Sequence, residues 1–130
     1  MKRILMAGAC VWITTAILAQ SSGPPPQSTG STTKQLGMID LSSQIDSVAG
    51  RQLRMRAVSL APGGQLTAHS HDGRPTLEYV LRGTVIEHRN GVPVEHKSGE
   101  VVVGENGVSH WWENRGTEEV VLLPVDVFKP

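Results

Sequence analysis

Three of the five histidines stand at spacings that suit a shared metal ion. His69 and His71 are two residues apart, and in an extended chain that spacing turns both imidazoles to one face. His110 follows much later, next to the strand-like pair Trp111-Trp112. Neutral imidazoles bind divalent first-row metals such as zinc, copper, iron and nickel. Two neighbouring histidines and a third supplied by the fold would therefore form a chelate without cysteine.

The segments that must position these histidines are typical of an all-β protein. After residue 50, short runs rich in Val, Leu and Ile alternate with Gly and Pro about every 8 to 12 residues, and no sustained helical period is present. The predicted strands are Arg51–Leu60, Thr76–Arg82, Thr84–Arg89, Val92–Lys97, Val101–Val103 and Glu119–Phe128. Asn90-Gly91 predicts a two-residue hairpin turn, because both residues tolerate positive φ. Pro62-Gly63-Gly64 predicts a further turn, and many short antiparallel strands in a domain of this length predict a jelly roll.

The first residues have the pattern of a leader. Lys2 and Arg3 precede an uncharged apolar run that ends at Ala19, which is typical of a secretory signal peptide. We therefore expect residues 1–19 to be a signal peptide and the mature chain to be periplasmic or secreted. An uncleaved membrane anchor is the alternative, and it fits less well because a span needs about 20 apolar residues. Residues 20–35, rich in Ser, Thr, Pro and Gly, predict a flexible spacer before a folded domain at 36–130.

Cysteine content and charge exclude several classes of protein. Cys10 is the only cysteine and lies in the predicted leader, so the mature chain would have no disulfide, thiolate ligand or cysteine nucleophile. The whole chain carries twelve basic and twelve acidic residues, and two of the basic ones belong to the leader. Without a basic cluster we expect no nucleic-acid partner. Nothing after the leader predicts attachment to a membrane.

Two segments around the histidines resemble the two motifs of the cupin family. The first comprises Gly63, His69-Ser70-His71, Glu78 and Tyr79–Gly83. The second comprises Gly99, Glu105-Asn106-Gly107, His110 and Asn114. The similarity extends over about 39–128, and the gap between the motifs is a hairpin of ordinary cupin length.

The resemblance implies a double-stranded β-helix, the jelly-roll cupin barrel, with a metal ion near its axis. The ligands carried over by position are His69, His71 and His110. The ion would be one divalent transition metal, with iron, manganese, nickel, copper and zinc all open. Cupins often dimerise, so a homodimer is one expected assembly, and a small molecule is the expected ligand.

The carboxylate ligand is the point at which this sequence departs from the family pattern. The family places a Glu where this chain has Thr76, three positions before the Tyr-Val-Leu run. Glu78 is the nearest acid and shares a face with Thr76, since side chains alternate along a strand. Glu87, expected opposite Val94 on the more apolar face of the hairpin, is the other candidate. The predicted ligand set is His69, His71, Glu78 and His110, with Glu87 as the alternative source of the carboxylate.

Other polar side chains have both a structural and a functional interpretation. Arg54 and Arg56 share a strand face that we expect to be solvated, with anion binding as the alternative. Arg74 lies in a loop at the mouth of the site and is a candidate ligand contact. His88 and His96 flank the hairpin and are expected to face solvent.

The tryptophan pair should present one ring to each side of its strand. The inner ring would belong to the core or would form the wall of a small apolar pocket.

The expected function is that of a metal-dependent enzyme acting on a small oxygen-bearing substrate, with the ion as Lewis acid. The sequence specifies neither the reaction nor catalytic residues. A non-catalytic module that binds a small ligand or a metal for sensing or storage is the alternative, because no general base beyond the ligand set stands out. A purely structural barrel would require the three motif histidines to be coincidental.

Overall fold

The computed structural model describes residues 23–130, and the predicted leader lies outside them. The described chain is all-β, as predicted, with one 3-10 turn at Asp46–Val48. Its strands are β1 Thr29–Asp40, β2 Gln52–Ser70, β3 Thr76–Arg82, β4 Thr84–Arg89, β5 Val92–Lys97, β6 Val101–Gly104, β7 Ser109–Glu113 and β8 Val120–Phe128. Within this part of the chain no helix is long and apolar enough to cross a membrane.

The long strand β2 joins the two halves of the barrel. The strands follow the order β5-β4-β7-β2-β8-β3-β6, and β1 pairs with β2 outside this path. The first half of β2 pairs with β8 and β1, whereas its second half pairs with β7. One strand therefore belongs to both halves of the barrel. The barrel nearly closes near the connection between β5 and β6. This connection is held against β3, because the amide of Val80 donates to the carbonyl of Glu100 at 2.9 Å.

The predicted hairpin is confirmed in both turn and register. Asn90 and Gly91 have φ values of 53° and 77°, and β3, β4 and β5 have the predicted bounds. Glu87 pairs with Val94, as the two-residue turn requires.

The predicted spacer is wrong for residues 29–35, because β1 begins at Thr29 and runs antiparallel to β2. Backbone pairing at a sheet edge needs no apolar side chain, so composition did not reveal this strand. The residues before β1 are also held against β2. The amide of Thr67 donates to Ser28 Oγ at 2.9 Å, and the hydroxyl of Thr67 donates to the Pro25 carbonyl at 2.8 Å. The folded domain therefore starts before residue 36.

The turn predicted at Pro62-Gly63-Gly64 is a bend within β2. Gly63 has φ 73°, and its amide donates to the Asn114 carbonyl at 3.0 Å. The Asn114 amide in turn donates to the Gly64 carbonyl at 2.9 Å. An added Cβ on Gly64 would lie 2.8 Å from the Ala61 carbonyl oxygen, so only glycine fits without a shift. Strand pairing continues on both sides of the bend, and the chain keeps its direction.

Alternating side chains from six strands form the core between the two halves. The core residues are Val58, Leu60, Val80, Val85, Val102, Trp112, Val120 and Leu122. In β8, every second residue from Val120 to Asp126 is buried. In β3 the same alternation turns Thr76, Glu78 and Val80 inward. Polar side chains at the end of such a strand are thereby brought inside the barrel.

We expect Asn114→Ala to lower the free energy of unfolding by about 2 kcal/mol. The Asn114 side chain is 1% exposed, and its amide nitrogen donates to the carbonyls of Leu60, Ala61 and Glu118. Alanine would remove the donor that these three carbonyls share. Urea unfolding measures the loss. Gln35→Ala, at an exposed amide side chain, is the control and should change stability by less than about 0.5 kcal/mol; equal losses in the two variants would contradict this role.

Candidate metal centre

Three histidines and one glutamate converge inside the barrel. The pairing of β2 with β7 places His69 directly opposite His110. His71 follows the end of β2, and its amide donates to the Val108 carbonyl at 2.7 Å, which holds it beside the other two. Glu78 reaches the same point from β3. Ligand atoms of His69, His71, Glu78 and His110, one from each residue, lie within 4.8 Å of one another.

The outer ring nitrogens of the three histidines determine which way their lone pairs point. Each Nδ1 faces an oxygen acceptor: Thr67 O at 3.2 Å from His69, Arg74 O at 3.2 Å from His71, and Glu87 Oε1 at 2.6 Å from His110. A proton on Nδ1 leaves the lone pair on Nε2. The Nε2 atom of His110 lies 2.9 Å from that of His71 and 3.1 Å from that of His69. Three convergent lone pairs are the arrangement in which imidazoles bind a cation.

The Glu78 carboxylate completes this set of donors. Its Oε1 atom lies 3.6 Å from His71 Nε2 and 3.8 Å from His110 Nε2. Its Oε2 atom is buried without a hydrogen-bond partner in the described chain. Burial raises the pKa of Glu78, because an ionised carboxylate with a missing partner is costly. A cation between these atoms would remove that cost, and nitrogen and oxygen ligands at about 2.1 Å suit a first-row metal.

Two of the three histidines, His69 and His71, are held in the neutral form that binds metals. Burial, reinforced by the nearby His110, lowers the pKa of both His69 and His71 to about 4. Both rings are therefore uncharged at neutral pH, and protons compete little with a metal ion for their nitrogens.

Glu87 contacts the far side of the His110 ring and is not one of the four convergent residues. Its carboxylate meets Nδ1 of His110, on the side of the ring away from the convergent Nε2 atoms. Arg89 Nε donates to it at 2.8 Å, and His96 Nε2 lies 3.2 Å away. Burial opposes ionisation, but the hydrogen bonds from His110 and Arg89 lower the pKa of Glu87 to about 2. The residue is a carboxylate that orients His110, as outer-shell partners of metal ligands do.

Both hairpin histidines were predicted to face solvent, and for His88 this prediction is wrong. This side chain is buried, stacks on Trp111 with ring centroids 3.6 Å apart, and lies 2.9 Å from Glu113 Oε2. Trp111 covers that face of β4, which the sequence pattern did not indicate. His96 is half-buried against Glu87. The predicted alternation of the tryptophans is confirmed, since Trp112 belongs to the core and lines a cavity.

That cavity, of about 210 Å³, adjoins the histidine cluster. His69 and Glu78 lie in its lining, together with Arg56 and Arg74. The expectation that the arginine face of β2 is solvated is wrong, because Arg54 and Arg56 both bind the buried Asp126. Hydrogen bonds from the arginines outweigh burial and lower the pKa of Asp126, so it stays ionised.

The chain belongs to the cupin family. The family model described as a cupin domain matches residues 56–128, more than half of the chain. The oxalate-binding protein of Thermotoga maritima is 35% identical over 68 residues, which cover 52% of this chain and 56% of that protein. The chain thus matches little more than half the length of this relative.

Solved structures confirm the cupin fold. The crystal structure of a predicted oxalate decarboxylase from Thermotoga maritima has a TM-score of 0.59 and 24% identity, covering 84% of this chain and 96% of that one. A polyketide cyclase from Streptomyces resistomycificus has a TM-score of 0.62 and 21% identity, with coverage of 78% and 68%. Recombinant oxalate oxidase in complex with glycolate has a TM-score of 0.57 and 22% identity, with coverage of 75% and 50%.

Replacing a convergent histidine should abolish tight metal binding. We expect purified His69→Ala and His110→Ala to lose a bound divalent metal, because each change removes one of three nitrogen donors. Elemental analysis and Co²⁺ titration measure occupancy and affinity. His88→Ala, at a buried histidine outside the cluster, is the control and should retain the metal. Full occupancy in the His69 and His110 variants would refute the ligand assignment.

Glu78→Gln should weaken metal affinity more than Glu87→Gln. The first change removes the only carboxylate of the cluster, whereas the second alters an acceptor behind His110. Outer-shell changes of this kind cost about 10- to 100-fold in affinity. Competition titration with a metal indicator gives both dissociation constants. The reverse order would identify Glu87, in the hairpin, as the fourth ligand.

Proposed function

We propose that this chain is an exported cupin that binds one divalent transition metal and presents it to a small oxygen-bearing ligand. The observation that carries the proposal is the cluster of His69, His71, Glu78 and His110, which lies against a cavity of about 210 Å³. His69 and Glu78 belong to both features, so a ligand in the cavity would lie next to the ion. A bound divalent metal would supply Lewis acidity to a ligand oxygen.

The relatives support a small ligand rich in oxygen. One is named for binding oxalate, and a solved relative holds glycolate. Both molecules offer carboxylate oxygens to a metal. The residues around the cluster serve the same purpose here: Glu87 orients His110, while Arg56 and Arg74 place positive charge along the cavity.

We propose metal-dependent turnover of this ligand as the activity. One observation favours the alternative, a non-catalytic module that binds or senses the ligand. In the described chain, the titratable side chains that line the cavity are Arg56, Arg74, His69 and Glu78. A guanidinium group does not act as a general base in proteins, and the other two side chains belong to the cluster, so the lining offers no separate general base. Turnover assays of the metal-loaded protein with oxalate, glycolate and longer-chain 2-hydroxy acids test this choice, because an enzyme converts at least one acid that it binds and a binding module converts none.

Export is part of the proposal and rests on the leader pattern in residues 1–19. Cell fractionation and N-terminal sequencing of the mature protein test it. A mature chain that begins near residue 20 supports export, and one that keeps Met1 in the membrane fraction supports the anchor.

Metal removal should abolish ligand binding and leave the barrel folded. The apolar core from Val58 to Leu122 is built without the cluster residues, so folding does not depend on an ion. Circular dichroism before and after chelation should be superimposable, while calorimetric binding of glycolate should disappear and return with added metal. Unfolding upon chelation would instead identify a structural site.

A further inference from the structure

Three guanidinium groups meet on a single carboxylate beside the cavity. Arg54, Arg56 and Arg74 lie 2.9, 3.1 and 2.8 Å from Oδ2 of Asp126. In the described chain no second acid lies within salt-bridge distance of these arginines, whose side chains are only 18–20% exposed. The cluster therefore keeps a partly buried excess of positive charge. Such an excess favours a further anion at the same place.

The arginines differ in what they contact. Arg56 and Arg74 line the cavity. Arg54 instead uses both Nε and an Nη atom on Asp126 and lies over the Phe128 ring at 3.9 Å. Arg56 and Arg74 therefore place positive charge at the wall of the cavity. Arg54 carries the same charge and binds the same aspartate but does not line the cavity, so it provides a matched control.

Unpartnered polar atoms gather on side chains that line the same cavity. In the described chain three buried side-chain atoms have no hydrogen-bond partner: Arg56 Nε, Trp112 Nε1 and Glu78 Oε2. All three residues belong to the cavity lining. Buried polar groups are normally paired, so this concentration indicates missing partners. Two of the atoms are donors, which require an oxygen acceptor, and Glu78 belongs to the metal cluster.

The rest of the lining is mostly hydrocarbon. It consists of Val58, Leu66, Leu122 and Pro124, with the ring of Trp112 and the two threonines Thr33 and Thr67. A cavity of about 210 Å³ holds roughly seven waters at about 30 Å³ each. Oxalate has no carbon–hydrogen surface to place against this wall. An apolar group on the ligand would displace water from the wall, which is favourable.

From these features we infer that the ligand is a carboxylate with an apolar body, in which oxygen atoms face the metal cluster, Arg56 and Arg74 while the hydrocarbon part contacts Val58, Leu66 and Leu122. The inference rests on the proposed function for the metal, and it differs from oxalate binding in requiring the hydrocarbon part. Asp126 acts as the positioning residue that holds both cavity arginines.

Calorimetry with matched acids tests the hydrocarbon part. The full-length mature protein is loaded with Co²⁺ and titrated with oxalate, with glycolate, and with 2-hydroxy-4-methylpentanoate, which has the head group of glycolate and a branched hydrocarbon chain. We expect the branched acid to bind at least about ten-fold more tightly than the other two. Its neutral amide should lose most of this affinity. Leu66→Ala should reduce the advantage of the branched acid over glycolate.

The matched arginine variants test the charged part. Arg56→Gln should weaken binding of the branched acid about ten-fold or more, because a hydrogen bond to a charged group is lost. Arg54→Gln removes an equal charge from the same aspartate and should change the affinity by less than about three-fold. Elemental analysis and the visible spectrum of Co²⁺ confirm that both variants keep the metal site.

The possible failures are distinguishable. Tightest binding of oxalate or glycolate, or equal losses in the two arginine variants, would overturn the inference and leave the metal function intact. Arg56-dependent binding of the branched acid that survives chelation would support the inference and contradict the proposed role of the metal. No binding of any carboxylate by metal-loaded protein would overturn both.

Discussion

The antiparallel pairing of β2 with β7 is the contact on which the site depends. It places His69 opposite His110 and extends past the strand end to hold His71. Because side chains alternate along a strand, a slip of one residue in this register would turn His69 to the other face of the sheet. The bend at Gly63 and Gly64, fixed by backbone hydrogen bonds to Asn114, therefore lies in the segment that aligns the ligands.

The surroundings give chemically similar groups different protonation states. Burial favours the protonated form of Glu78 and the neutral form of His69. Glu87, a few ångströms further out, is kept ionised by His110 and Arg89. Two glutamates thus flank the same histidine in different surroundings: Glu78 lies among the convergent Nε2 atoms, and Glu87 is the acceptor that fixes the ring.

Much of the fold could be predicted from the sequence because strands and turns leave local signals, and the convergent residues could be predicted because their spacing resembles the cupin motifs. Asn90-Gly91 fixes the hairpin register, and strand alternation put Glu78 on the same face as Thr76, the position at which the family has its carboxylate. The remaining features depend on contacts between distant segments. β1 is held through its backbone, and neither the stacking of Trp111 on His88 nor the convergence of three arginines on Asp126 follows from any sequence period. Charged residues that look solvated in one strand become partly buried when a distant strand supplies their counter-ion.

β1 is attached to the barrel along one edge, and eleven of its twelve residues are exposed. It nevertheless supplies Thr33 to the cavity lining. A strand held in this way opens locally at lower free energy than the core unfolds. Its fraying would remove Thr33 from the cavity lining while β2, β7 and the histidines stay in place. The residence time of a bound molecule would then depend on how often β1 detaches. Substitutions in β1, outside the four convergent residues, would change the rate at which that molecule exchanges with solvent.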